Sequence, residues 1–179
     1  MKLLITGASS ILGKNLTTEL LKIENIVIRL LEHDTPVKRE NCQIFKADIQ
    51  NKESLIRACS EIDVVIHLAA LTHTNSAKSY FEVNEKGTEK LLAACQKNKV
   101  MRFIYVSSAA ATEKSGEYGL SKLRGEEKVK NSNLNWVVLR PSEVYGREMG
   151  EGIGKLISWV KNFPVIPVIG DGSYFLSPV

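Results

Sequence analysis

Short runs of aliphatic and β-branched residues recur along the chain at positions 3–6, 26–31, 43–46, 64–67, 103–107 and 136–140. They are nearly continuous in apolar character, as strands are when both faces of a sheet are covered. Between them lie segments with helical spacing. Segment 12–23 places Leu12, Leu16, Leu20 and Ile23 about one turn apart. Segments 54–59, 81–98, 118–130 and 153–161 read the same way. Strand and helix alternate through short connections, with no internal repeat. That pattern predicts an α/β domain with a doubly wound parallel sheet and helices on both faces. After position 162 the pattern changes: Pro164 and Pro167 interrupt it, and Gly170-Asp171-Gly172 signals a turn. The expected division is therefore 1–162 and 163–179, the latter the start of a further subdomain.

Composition sharpens this only a little. The 179 residues are 44% hydrophobic and 25% charged, enough for one sizeable core without staples. The net charge of +4 is scattered, and its densest patch is Lys38-Arg39. No nucleic-acid partner is expected from so thin a footprint. No run approaches the roughly 20 apolar residues of a membrane span. The opening run 1–5 is too short for the apolar part of a signal peptide. Cys42, Cys59 and Cys95 are odd in number and form no C-x-x-C unit. Free thiols in a reducing compartment, the cytoplasm, are the expectation. His67 and His73 have no acidic or cysteine partner at ligand spacing, so no metal is expected. His33 reads as loop surface.

The first candidate site follows the first strand. Thr6-Gly7-Ala8-Ser9-Ser10-Ile11-Leu12-Gly13 runs straight into a helix pattern. Gly7 permits a tight turn, and the small residues after it let backbone N–H groups approach a pyrophosphate. Gly13 lets the helix pack close to the sheet, and the helix N-terminus favours the anion. A dinucleotide site of this kind needs an acidic residue about 20 positions on, at the end of the second strand, for the ribose 2′-hydroxyl. Glu32 stands nineteen after Gly13, with Asp34 as the alternative. A carboxylate repels a 2′-phosphate, which favours NAD. Arg29, Lys38 and Arg39 are near enough to hold one, so NADP stays open.

The second candidate site is Tyr118-Gly119-Leu120-Ser121-Lys122. A phenol and an ammonium at i and i+4 share a helix face. A neighbouring cation favours the phenolate and brings a tyrosine toward service as acid/base beside a nicotinamide. Ser107 and Ser108 end the fifth predicted strand, where open α/β sheets place their sites. A hydroxyl there can orient the reacting oxygen.

Together these residues resemble the extended short-chain dehydrogenase/reductase superfamily, in its NAD-dependent epimerase/dehydratase branch. The motifs follow the family's order over nearly the whole chain. Residues 6–13 are similar to its T-G-x-x-G-x-x-G turn. Asp48-Ile49 looks like the pair that contacts adenine, and Leu68-Ala69-Ala70 like the segment lining the cofactor. Val83-Asn84 with Gly87-Thr88 is similar to its N-x-x-G-T segment. Ser108 aligns with the catalytic serine, and Tyr118 and Lys122 with the catalytic pair. Residues 139–146 resemble its R-P-x-x-V-Y-G segment, which lies by the nicotinamide.

The resemblance implies a Rossmann-type fold and reversible hydride transfer on a sugar-nucleotide or other hydroxyl/carbonyl substrate. Tyr118 would be the acid/base, Ser108 the oxygen-orienting donor, and Lys122 the residue that holds the ribose and depresses the Tyr118 pKa. Gly7, Ser9, Ser10, Ile11, Leu12, Gly13, Glu32, Asp48, Ile49, Leu68, Ala69, Ala70, Asn84, Ser107, Tyr118, Lys122, Pro141 and Val144 would surround NAD. It also implies a homodimer through helices 81–98 and 118–130. Three departures stand out. Ser10 replaces the usual middle glycine. Only nine residues separate Ser108 from Tyr118, which puts the usual sugar-nucleotide in doubt. The chain stops at Val179, where the family continues into its substrate subdomain. An NAD-binding module with little turnover is the alternative reading.

Overall fold

A computed structural model describes residues 1–142, 144 and 153–165 of the chain. Six strands form one parallel sheet: β1 (Lys2–Thr6), β2 (Val27–Glu32), β3 (Cys42–Lys46), β4 (Val64–His67), β5 (Arg102–Val106) and β6 (Trp136–Leu139). Their spatial order is β3-β2-β1-β4-β5-β6. The chain leaves β1 toward one edge, returns, and leaves β4 toward the other. The carboxyl ends of β1 and β4 therefore flank the point where a doubly wound sheet opens a crevice. Register places Thr6 opposite His67 across that point.

Between the strands lie α1 (Ile11–Leu20), α2 (Lys52–Ala58), α3 (Ala77–Tyr80), a π-helical segment (Phe81–Gly87), α4 (Thr88–Lys97) and α5 (Gly116–Lys130). The chain divides into two compact units, Met1–Arg140 and Pro141–Val179. The first holds everything named so far. In the second, α6 (Ile153–Asn162) is the described helix. Of the predicted 163–179 subdomain, residues 166–179 lie outside the described residues.

Adjacent strand residues point to opposite faces, so the apolar runs feed two cores. Leu4, Leu31, Val65 and Phe103 enter one, with Leu55, Leu91 and Val129 from the helices. Ile5, Leu30 and Ile66 enter the other, where Leu16 and Leu20 of α1 pack. The predicted stripe on α1 is corrected here. Leu12 is 36% exposed, Ile23 lies beyond the helix, and the buried helical positions are Gly13 and Thr17. Thr17 tolerates this because its hydroxyl donates to the Gly13 carbonyl at 2.7 Å. The long helix read over 81–98 is instead the π segment followed by α4, with α3 leading into them. Among the described residues no helix is long and apolar enough to cross a membrane.

Candidate functional site

A cleft of about 540 Å³ opens at the carboxyl ends of β1, β2 and β4. Gly7, Ser9, Ser10, Asp48, Ile49, Leu68, Ala69 and Ala70 line it, as the sequence predicts. Gly7 has φ +71°. A Cβ there would lie 2.6 Å from the Ala69 backbone nitrogen, so a side chain would both strain the turn and close the crevice floor. Gly13 sits against the Gly7 carbonyl in the same way, leaving no room for a methyl group. Ile11, Leu12 and Gly13 support the turn from the first residues of α1 rather than line the cleft.

Ser10 explains the missing middle glycine. Its Oγ donates to the Gly7 carbonyl at 2.7 Å and accepts from the Gly13 N–H at 3.0 Å, capping α1. The hydroxyl is thus spent on the shape of the turn. Glu32 is also diverted. Its Oε2 accepts from the Val37 N–H at 2.7 Å, and its side chain is absent from the cleft lining. His33, Asp34 and Thr35 line that end instead, with His33 Nδ1 3.1 Å from the Asp34 carboxylate. Sequence spacing selects the strand end but not which carboxylate of the following loop faces inward. Leu31, Gln50, Leu71 and Val83 also line the cleft. Of these, Val83 adjoins the N-x-x-G-T segment; Leu31, Gln50 and Leu71 stand in no motif.

Behind the cleft runs a buried hydrogen-bonded chain. The Ala69 N–H donates to Thr6 Oγ1 at 3.2 Å, and Thr6 Oγ1 lies 2.6 Å from His67 Nδ1. On the ring's other side, Nε2 is 3.0 Å from Thr88 Oγ1, which itself donates to the Asn84 carbonyl at 2.7 Å. Thr88 must therefore accept from Nε2–H, and in the neutral ring Nδ1 then accepts from the Thr6 hydroxyl. Burial, with the Lys122 charge adding to it, lowers the His67 pKa to about 3. Asn84 is equally committed. Its Oδ1 accepts from the Leu71 N–H, and its Nδ2 donates to the Leu71 carbonyl and to Ser121 Oγ. It braces the cleft wall against α5, and all its amide groups are used behind the cleft.

The second half of the site is α5. Ser121 Oγ donates to the Tyr118 carbonyl at 2.8 Å, which connects the Asn84 brace to the first turn of α5. Ser108 Oγ accepts from the Ala110 N–H at 3.1 Å and lies against the Tyr118 phenol. Tyr80 of α3 meets the Tyr118 ring edge-on with centroids 6.0 Å apart. Lys122 is 2% exposed. Its Nζ donates to the Val106 carbonyl at 2.8 Å and sits 4.3 Å from the centre of the Tyr105 ring. Burial lowers its pKa to about 7, against the attraction of Glu126.

The expected depression of Tyr118 is not seen in the NAD-free chain. Burial pushes the phenol above its ordinary value, against the Ser108 hydrogen bond, and Tyr80 adds to the rise. The Lys122 ammonium is turned toward Val106 and Tyr105 instead. Ser107 is buried, with its N–H on the Leu139 carbonyl at 2.7 Å. Pro141 and Val144 belong to the second unit.

The sequence and the fold are similar to those of known proteins. The family model for NAD-dependent epimerases/dehydratases matches residues 3–174. A ceramide reductase of Caulobacter vibrioides is 30% identical over 94% of this chain and 54% of its own length. The chain spans about half the length of the curated relatives it matches. The UDP-glucuronic acid 4-epimerase of Bacillus cereus, solved with UDP-glucuronic acid and NAD, is 29% identical with a TM-score of 0.76 over 90% of this chain and 63% of that one. The Bordetella bronchiseptica enzyme WbmG, solved with NAD, shares the fold with a TM-score of 0.79 at 24% identity over 90% of this chain and 59% of that one. With its cleft at the sheet's switch point and a family match over nearly its whole length, the chain belongs to the NAD-dependent epimerase/dehydratase family.

Proposed function

We propose that this chain binds NAD in the cleft and carries the catalytic residues of a hydride-transfer enzyme acting on a hydroxyl or carbonyl group. The observation that supports it best is the convergence of Ser108, Tyr118 and Lys122 at the end of β5, one hydrogen-bonded brace away from the cleft. The residues fit the cofactor. The floor at Gly7 is too tight for a side chain yet open to a phosphate, and α1 directs its N-terminus at it. Gly7, Ser9 and Ser10 would hold the pyrophosphate, Asp48 and Ile49 the adenine, and Leu68, Ala69 and Ala70 the middle of the molecule. When bound, NAD supplies the hydride acceptor and donor.

The chain's own groups supply the proton chemistry. Tyr118, held as the neutral phenol, is ready to donate to a carbonyl oxygen as negative charge develops on it. Ser108 orients that oxygen with its hydroxyl. Lys122 would hold the nicotinamide ribose once it left the Val106 carbonyl, and its charge there would favour the phenolate that is left behind. Run in reverse, the phenolate takes the proton of a substrate hydroxyl. UDP-sugars are the substrate class that the Bacillus cereus relative suggests. A second copy would dock through α4 and α5, whose outer sides already carry ion pairs such as Lys128–Glu89 at 2.9 Å.

Tyr118→Phe tests the reading. Turnover of a UDP-sugar and alcohol/carbonyl panel should fall by about 10³-fold, while calorimetric NAD affinity stays within about twofold. Full turnover in the mutant removes Tyr118 from the chemistry. NAD binding with no turnover on any substrate by the wild type moves the chain to the binding-module reading.

A further inference from the structure

Tyr118 and Lys122 do not exhaust the ionisable groups of α5. One turn beyond Lys122, Glu126 is wholly buried. Its carboxylate takes a two-pronged grip from Arg140 at the end of β6, Nε to Oε1 and Nη2 to Oε2, both at 2.7 Å. Lys130 adds a bond to Oε2 at 3.1 Å. Burial alone would push this carboxyl up, but Arg140, the nearby Ser107 hydroxyl and Lys130 outweigh it and bring the pKa to about 2. A fixed negative charge therefore stands inside the protein at every pH where the fold is used. Removing two charges from water is costly, and an ion pair of this kind is weak grounds for stability alone.

Its surroundings show what the charge faces. Lys122 lies on the same side of the helix, with its amine between the Val106 carbonyl and the Tyr105 ring. The His67 ring of β4, 5.5 Å from the Tyr105 ring, is neutral and offers no counter-charge. Tyr118, on the preceding turn, is held neutral. Tyr80 of α3 meets Tyr118 rather than Lys122. Glu85 of the π segment and Glu89 of α4 turn to Lys128 on the exposed side. Among the described neighbours, Glu126 is the buried anion on the lysine's side of α5.

We propose that Glu126, locked by Arg140 and Lys130, is a positioning residue that favours the ammonium form of Lys122 inside a dry site. The inference rests on the hydride-transfer reading for its purpose, since that reading needs a charged Lys122 beside the ribose and the phenol. Its geometry stands apart from the chemistry. Arg140 fixes the carboxylate at the sheet edge, so α5 cannot turn without breaking the pair. Lys130 tempers its charge from the solvent side.

The test reads Lys122 directly, by lysine-selective NMR of the NAD-free chain, with the signal assigned through Lys122→Met. In Glu126→Gln the titration midpoint of Lys122 falls by about one pH unit relative to wild type. In Lys130→Met, which leaves the Arg140 grip intact, the midpoint rises, because the carboxylate is less compensated and a like charge is gone. Loss of a like charge alone also raises the midpoint in Lys130→Met, so the fall in Glu126→Gln is what separates a field on Lys122 from a merely structural ion pair, which leaves it unchanged. An unchanged midpoint in folded Glu126→Gln, or a fall in Lys130→Met, overturns the proposal. Should Glu126→Gln fail to fold alone, it is read in the Lys130→Met background, where fewer cations are left unpaired and the lost side chain is 46% exposed: the midpoint falls below that of Lys130→Met itself, and an unchanged midpoint overturns the proposal. NAD calorimetry on wild type is read separately. Absence of NAD binding there defeats the functional reading, whatever Lys122 does.

Discussion

Around Gly7 the cleft is built from backbone: a turn with positive φ, the free N–H groups at the start of α1, and a serine whose hydroxyl is spent on the turn itself. Around Lys122 the site is built from ionisable side chains deprived of water. The two ends meet through His67 and Asn84. Backbone dipoles do not titrate, so the first end keeps its geometry across pH. The second holds a lysine near neutrality and a phenol above its ordinary range, so its chemistry follows pH closely.

The largest consequence falls on the lysine end. The Lys122 pKa is lowered from 10.5 to about 7 on folding. Below pH 7 the folded state must bury a charge that the unfolded state keeps in water. Between about 7 and 10.5 the unfolded chain binds more protons, so the stability of the NAD-free chain rises with pH through that window. The gain is on the order of a few kcal/mol, and Lys122→Met should flatten it in denaturant titrations. An unaltered slope in that variant would break the contrast between the two ends.

His67 gives the matching test at acid pH. Its pKa is lowered from 6.5 to about 3, so the unfolded chain binds the extra proton between those values. Stability is lost as pH falls through that window, again by a few kcal/mol on order of magnitude. His67→Gln keeps hydrogen-bonding capacity without the titration and should remove most of that acid sensitivity.

Gly7→Ala sharpens the other side. Positive φ and the 2.6 Å approach to the Ala69 nitrogen should cost about 1–3 kcal/mol of stability. NAD affinity should fall with it, and the loss should be the same at pH 6 and pH 8. A strongly pH-dependent loss would show that titrating groups also govern the turn.

The smallest effect expected is Ser10→Ala, about 1 kcal/mol from the lost cap. If Ser10 instead bonded the pyrophosphate, the mutation would lower NAD affinity far more than stability, and calorimetry beside denaturation separates the two.

Much of this was legible beforehand because it is local. Each of the six predicted strands is present, with ends shifted by at most one residue. Leu4 and Ile5 reach opposite cores because side chains alternate along a strand. Gly7, Asp48 and Ala69 were found by motif, and they line the cleft. What escaped is the detailed shape of loops and turns. Glu32 has the right spacing for the ribose, yet a bond to Val37 takes up one of its carboxylate oxygens. The 81–98 segment reads as one helix because its apolar spacing does not register the π turn, which carries Asn84 and Val83.

The sequence by itself determined the strands and helices, their alternation and the residue types at the two ends of the site. Periodicity and turn chemistry act within a few neighbours, and these residues satisfy them. Only the tertiary structure decided that Thr6 and His67, 61 residues apart, share a proton geometry. It also set the aim of Lys122 at Val106 and Tyr105, and the burial of Glu126 under Arg140. The reason is physical. A side chain's charge state depends on how much water packing removes and on which charges the sheet brings beside it, and both are settled only when distant strands meet.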